Sequence, residues 1–600
     1  MRRISGTLAI VLLLMGCGGG PSQHTQSEVQ AFINAYTNEY IDLSYKFAEA
    51  DWKSNTMIIE GDTANAYATR TTNEALAAFT GSAENIEKAR GYLEHKDDLN
   101  PLQVRQLEKI LYYAADNPQT VADLVKERIK AETEQTERLF GYDFKISDES
   151  VTTNDIDDML KTSDDLMLRL AAWESSKGVG AAIKDGLVNL RGLRNKTVQA
   201  LGYDDYFSYQ VSDYGMTTDE LRAMMLRFNR EIRPLYRELH TYARYELAER
   251  YGVDEVPDLI PAHWLPNRWS QDWNAMLTVE GLDLDGVLRE KEAEWFTKQG
   301  EQFYLSLGLS SLPESFWTKS DMFPLPEGTP YKKNNHASAW HMDLRDDIRC
   351  LMSIVSNAEW YETVHHELGH IYYYISYTNP DVPPLLREGA NRAYHEAIGS
   401  LMGLAAMQKP FLAHLELLPP DVQADEMKQL LKEAFNYIVF IPWSAGVMTE
   451  FEYELYAKDL PPDQFNKRWW EIKRQYQGVV PPSYRGEEYC DAASKTHISN
   501  DAAQYYDYAM SYVLLFQLHD HIARNILKQD PHATNYYGST EVGKFLDDIM
   551  RPGGSQDWRQ ALRDQLGQDL SAQAMLDYFD PLTAYLEEEN KGRTHTLPEL

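Results

Sequence analysis

Apolar side chains recur three and four residues apart over most of residues 25–250. EVQAFINAYTNEYIDLSYKFAEADWKSN (28–55), PLQVRQLEKILYYAADN (101–117) and TDELRAMMLRFNREIRPLYRELHTYARYELAERYG (218–252) carry the pattern, with acidic and polar residues between. That period predicts long amphipathic helices whose apolar faces pack into a core. The pattern changes at 348–355, IRCLMSIV, a short apolar run that suits a strand. A further helix is expected over Glu359–Tyr374, where Gly369 is the only breaker, at about 1 kcal/mol. An interior glycine often allows another backbone to come close. Beyond it, REGANRAYHEAIGSLMGLAAM reads as a loop through Gly389 and Asn391, then a helix of small and apolar residues. The expected fold is mainly α, with a small sheet beside the 359–374 helix.

The N-terminus follows another pattern. MRRISGTLAIVLLLMGC has a basic start, an apolar run and a cysteine, which is a secretory signal. The run is too short for a stable transmembrane helix. Leu14-Met15-Gly16-Cys17 resembles a bacterial lipobox, so residues 1–17 are expected to be a lipoprotein signal and Cys17 the lipidated residue. An ordinary signal peptide with an incidental cysteine is the alternative. GGGPSQ then suggests a flexible tether over 18–25, and 26–600 is read as a single domain, since no low-complexity linker divides it. This predicts an exported protein, lipid-anchored in a bacterial envelope and facing the periplasm. Cys350 and Cys490 could pair in an oxidising compartment; the sequence leaves this open. The net charge of −34, from 58 basic and 92 acidic residues, argues against nucleic acid as a partner.

Candidate chemistry sits in VHHELGHIYYY (364–374). On a helix, His366 and His370 share one face and can address one ion, with Glu367 beside them. A catalytic zinc usually has three protein ligands and an open position. Glu396 stands among Ala, Ile, Leu and Met, where an unpaired carboxylate is costly. It is read as the third ligand, with a capping or surface-paired glutamate as the alternative.

HHELGH followed by LLREGANRAYHEAIG closely resembles the angiotensin-converting enzyme family. IPAHW (260–264), NNHASAW (334–340), RWWEIKRQYQG (468–478) and KTHIS (495–499) match it in order, over nearly the whole chain after residue 25. The resemblance implies a large two-lobed helical fold around a deep cleft, its first helices forming a lid that admits flexible oligopeptides. It implies a zinc peptidyl-dipeptidase that holds Zn2+ through His366, His370 and Glu396. Glu367 would be the general base. Tyr508 would stabilise the oxyanion, and His497 would bond the substrate near the cleaved bond. Gln271, Lys495 and Tyr505 would clamp the C-terminal carboxylate, and the backbone at His336 and Ala337 would hold the peptide. An arginine at the Gln271 position marks the carboxypeptidase branch, so glutamine favours dipeptide release. The alternatives are a carboxypeptidase or broader oligopeptidase, and a catalytically silent, lipid-anchored peptide-binding protein.

The sequence departs from the family pattern at several positions. Ser400 replaces an aspartate that orients a zinc-bound histidine, which predicts weaker zinc affinity. Asp507 replaces an arginine that binds an activating chloride, which makes chloride activation doubtful. A second chloride site would survive, weakened, as Lys177, Trp469 and Lys473. Asn335 stands where animal relatives begin a disulfide, and Trp360 replaces an acid beside the cut, leaving side-chain preference open.

Overall fold

The computed structural model describes residues 21–59, 63–279, 284–420, 422 and 425–600. The expected signal, with Cys17, lies outside the described residues. The first helix (α1, Pro21–Thr56) takes in residues 21–25 of the expected tether. Proline is tolerated in a first turn, where its missing N–H has no intrahelical acceptor to lose. α2 (Pro101–Asp116) starts at a capping box, Asn100 Oδ1 accepting from Gln103 N at 2.9 Å and Gln103 Oε1 from Asn100 N at 3.3 Å. α3 (Leu166–Gln199) and α4 (Thr218–Arg250) are the longest helices after α1. Thr217 and Glu220 form the same kind of box ahead of α4. The three quoted amphipathic segments are therefore helical, and their apolar faces are buried.

Three two-stranded sheets are present among the described residues. The one that matters here pairs β1 (Ser338–His341) antiparallel with β2 (Ile348–Leu351). The strand expected over 348–355 is thus shorter; Met352 and Ile354 leave the ladder and bond Asp321 O and Met322 O instead. α5 (Ala358–Tyr377) follows, capped by the Asn357 side chain, which accepts from Trp360 N at 2.8 Å. α6 (Arg392–Ala406) is capped by Asn391 on Tyr394 N at 3.0 Å. α7 (Glu426–Ile441) runs on through a π-helical stretch, Pro442–Met448. α8 (Phe465–Gln477), the short α9 (Thr496–Asn500) and α10 (Tyr506–Asp520) complete the elements around the site.

The main core is one contiguous cluster that runs beneath α5, α6 and α10. α1 and α2 bury a separate, smaller cluster of Val29, Ile33, Tyr36, Leu107 and Ile110. The end of α1 is tied to the segment before β1. Ile58 and Lys332 exchange backbone bonds at 2.7 and 2.8 Å, and Asn334 bonds Asn55 through backbone (2.8 Å) and side chain (3.0 Å). Trp52 packs edge-on against Trp340 of β1 at 5.4 Å, and Glu49 pairs with Arg349 of β2. Cys350 and Cys490 are both buried free thiols. No described helix is long and apolar enough to cross a membrane.

Candidate active site

α5 and α6 cross at two glycines. A Cβ on Gly369 would lie 2.8 Å from the Gly399 Cα, and one on Gly399 would lie 3.0 Å from the His366 ring. The close approach expected of Gly369 is therefore the contact between the two helices that carry the ligand candidates. His366 and His370 project from one face of α5, one turn apart, with their Nε2 atoms 3.1 Å from each other. Glu396 Oε2 on α6 lies 3.8 Å from His366 Nε2. One ligand atom from each residue fits within a 4.8 Å cluster, the only such group of three among the described residues. Burial holds both imidazoles down at about 4, so near neutral pH each is in the uncharged, metal-binding form. Two neutral imidazoles and a carboxylate, with room for a further ligand, suit a divalent zinc-like ion.

The ligand atoms face a cleft of about 930 Å3, lined also by His336, Ala337, Glu362, Glu367, Arg392 and Tyr508. Glu367 is buried; burial and then Glu396 push its carboxyl up to about 8. A cation among the ligand atoms would oppose both causes and favour the carboxylate. His336 and Ala337 precede β1 and border the cleft, where an extended peptide could lie along the strand edge.

Farther on, three distant segments meet. Lys495 Nζ donates to Gln271 Oε1 at 3.1 Å, and Tyr505 OH donates to the same oxygen at 3.3 Å. The Gln271 amide, the Lys495 amine and the Tyr505 hydroxyl thus form one polar patch, whose hydrogens a ligand carboxylate would accept in place of the Gln271 oxygen. Burial, then Arg268, lowers the Lys495 amine to about 7. His497 stands beside both this patch and Tyr508, its ring 4.8 Å from that of Tyr505 and 6.0 Å from that of Tyr508, while the two tyrosine rings are 4.9 Å apart. Burial and then Lys495 lower His497 to about 3, so it is neutral, and its buried Nδ1 has no hydrogen-bond partner among the described residues. Burial, then Asp507, pushes the Tyr508 phenol above its ordinary range, which keeps it a protonated donor.

Other expected residues meet elsewhere or not at all. Lys177 and Lys473 are buried and donate to adjacent carbonyls, Arg268 O at 2.8 Å and Trp269 O at 2.9 Å. Lys473 lies 5.8 Å from the Trp469 ring centre. Burial pushes both amines well below their ordinary value. Ser400, where the family pattern has an orienting aspartate, makes no such contact. No hydrogen bond joins its hydroxyl to His366 or His370 among the described residues. A serine oxygen sits one bond nearer the helix than an aspartate oxygen would. His370 instead meets His395, Nδ1 to Nδ1 at 3.3 Å. His395 had no signal beyond its place before Glu396. Arg392 and Glu362 were also not singled out; Glu362 lies one turn before His366, on the face that repeats every four residues.

A family model described as angiotensin-converting enzyme matches residues 23–597. The angiotensin-converting enzyme of Bos taurus is 33% identical over 461 residues, 74% of this chain and 34% of that protein. That of Mus musculus is 32% identical over 446 residues, 71% of this chain and 33% of that protein. The chain spans about a third of the length of these curated relatives.

Proposed function

The chain belongs to the angiotensin-converting enzyme family, and from that premise we propose that it is a zinc peptidyl-dipeptidase acting on oligopeptides with a free C-terminus. The observation that carries this reading is the pairing of a His-His-Glu ligand cluster with a three-donor patch assembled from Gln271, Lys495 and Tyr505. A substrate carboxylate held by that patch would fix how many residues extend past the cut. An amine and two neutral donors suit a carboxylate, and charge-assisted bonds are the stronger ones.

His366, His370 and Glu396 would hold the zinc. Bound there, it would act as a Lewis acid, polarising the scissile carbonyl and acidifying water. Glu367 accepts the proton from the attacking water and passes it to the leaving amine. Tyr508 donates to the oxygen that gains charge, and neutral His497 donates to the substrate beside the cut. Main-chain groups at His336 and Ala337 hold the peptide extended.

The test is product analysis on a blocked tripeptide, with protein as purified, chelated, and resupplied with zinc. Release of the C-terminal dipeptide, lost on chelation and restored by zinc, is expected. Release of single residues would keep the metal site and overturn the clamp, giving a carboxypeptidase. No cleavage of any of several peptides with zinc bound would leave a peptide-binding protein.

Two further parts of this reading have their own tests. Chloride activation is weak or absent, because a carboxylate occupies position 507 and Lys177 and Lys473 already bond carbonyls. A strong chloride dependence of kcat/KM would contradict it. The protein is exported and lipid-anchored through Cys17, on the strength of the N-terminal sequence. Mass spectrometry of the mature N-terminal peptide, finding no acyl modification on Cys17, would remove the anchor.

A further inference from the structure

Asp507 raises a question of its own. Its side chain is completely buried, and neither carboxylate oxygen has a hydrogen-bond partner of good geometry among the described residues. A buried carboxylate in that state is costly without a compensating charge. The charge comes from Arg392, whose Nε lies 2.8 Å from Asp507 Oδ2. The same guanidinium donates from Nη1 and Nη2 to the two oxygens of Asp501, at 2.9 and 2.7 Å. The guanidinium is therefore hydrogen-bonded to one carboxylate and ion-paired with a second at once. A lysine could not do this, because its ammonium is a single point.

The location is informative. Arg392 is the first residue of α6, and a cation at a helix N-terminus opposes the helix dipole. Only its acidic partners favour it there. Glu396 follows it by four residues, one turn along the same face. Asp507 lies in the first turn of α10, next to Tyr508, and the guanidinium carbon is 5.8 Å from the centre of the Tyr508 ring. One ion bridge thus has a metal-ligand carboxylate one turn from its cationic end and the oxyanion donor next to its anionic end.

We propose that Arg392 is a positioning residue, whose bridge to Asp507 and Asp501 fixes Tyr508 relative to Glu396. The proposal rests on the peptidase reading above for the roles of those two residues. It gives the buried acid at 507 a function: Asp507 is the resident anion of the site. Misplacement of a reacting group by about 1 Å can cost on the order of 100-fold in rate, so a bridge at the ends of two packed helices has a direct kinetic consequence.

The experiment uses the full-length protein and the Asp507→Ala and Arg392→Lys variants. Each is measured for kcat and KM on a blocked tripeptide and for Tm, with and without sodium formate or chloride. In Asp507→Ala, kcat falls about tenfold with KM little changed. Formate or chloride, filling the space beside Arg392, restores kcat to within about threefold and raises Tm. Neither anion does so in the wild type. Arg392→Lys loses kcat by about tenfold and no anion rescues it, since the fork itself is gone. The Tm response needs no turnover. A wild type that cleaves nothing would defeat the peptidase reading, while the anion-dependent Tm would still report on the bridge. Asp507→Ala with wild-type kcat in anion-free buffer would overturn the proposal. So would a lowered kcat or Tm that neither anion moves, or an Arg392→Lys variant of full activity.

Discussion

The metal-ligand end and the carboxylate-clamp end of this site are built in opposite ways. His366, His370 and Glu367 belong to one helix, and Glu396 to the next helix in the chain that packs on it through Gly369 and Gly399. Gln271, Lys495 and Tyr505 come from positions up to 234 apart and meet through two side-chain bonds to one amide oxygen. The first end is set by local helical geometry and a close backbone contact. The second is set by long-range packing, and its donors are polar groups drawn out of water. The ligand end should therefore tolerate almost no change of shape, whereas the clamp should respond gradually to changes in charge.

Four measurements would break or sharpen that contrast. The largest effect is expected for Glu367→Gln, which keeps the shape and removes the base. kcat should fall on the order of 10²- to 10⁴-fold, with metal content by elemental analysis unchanged. Lys495→Met comes next, with KM for free-carboxylate peptides raised roughly 10- to 100-fold and kcat changed far less. A C-terminally amidated peptide should barely distinguish that variant from the wild type. Gly369→Ala places a methyl 2.8 Å from the Gly399 Cα. It should cost about 1–3 kcal/mol in denaturant unfolding and weaken zinc retention under chelator competition. A fully stable Gly369→Ala protein would show that the helix crossing has slack.

The smallest effect is a pH dependence at the clamp. Burial lowers the Lys495 amine to about 7, so the free protein loses that charge as pH rises through 7. Binding of a carboxylate favours the charged form. KM should therefore rise between pH 6 and 9, and this limb should vanish in Lys495→Met. The stability sign is the reverse. The folded amine releases its proton at lower pH than the unfolded one, so its burial costs stability below pH 7, and that cost is relieved as pH rises toward the ordinary lysine value of 10.5.

The same contrast governs what the sequence discloses. The helical period marked α1, α2 and α4, and the four-residue spacing of two histidines marked α5, because both follow from 3.6 residues per turn. The Gly369 contact was foreseeable because a glycine inside a helix lets another backbone come close. Glu396 was visible as a carboxylate in apolar company. Nothing in local spacing joins Gln271 to Lys495 or Tyr505; only the ordered family motifs did. Arg392 and His395 were invisible as functional residues, because an ion bridge or a ring contact between two helices leaves no periodic trace. Ser400 was legible as a departure: a serine in the register of an orienting aspartate, whose short side chain bonds neither His366 nor His370 among the described residues.

The bonds between the end of α1 and residues 332–334 carry a mechanical consequence. The end of α1 and the strand edge that would receive a peptide under the proposed function are linked in series, through four hydrogen bonds and the Trp52–Trp340 contact. Moving the end of α1 while the strand stays in place means breaking those bonds, at about 0.5–1.5 kcal/mol each. A bulky, folded chain forcing its way in would therefore pull on the edge it needs for docking. One that leaves α1 in place would not load that joint. Selection by size would then follow from this backbone joint, with no side chain having to recognise anything.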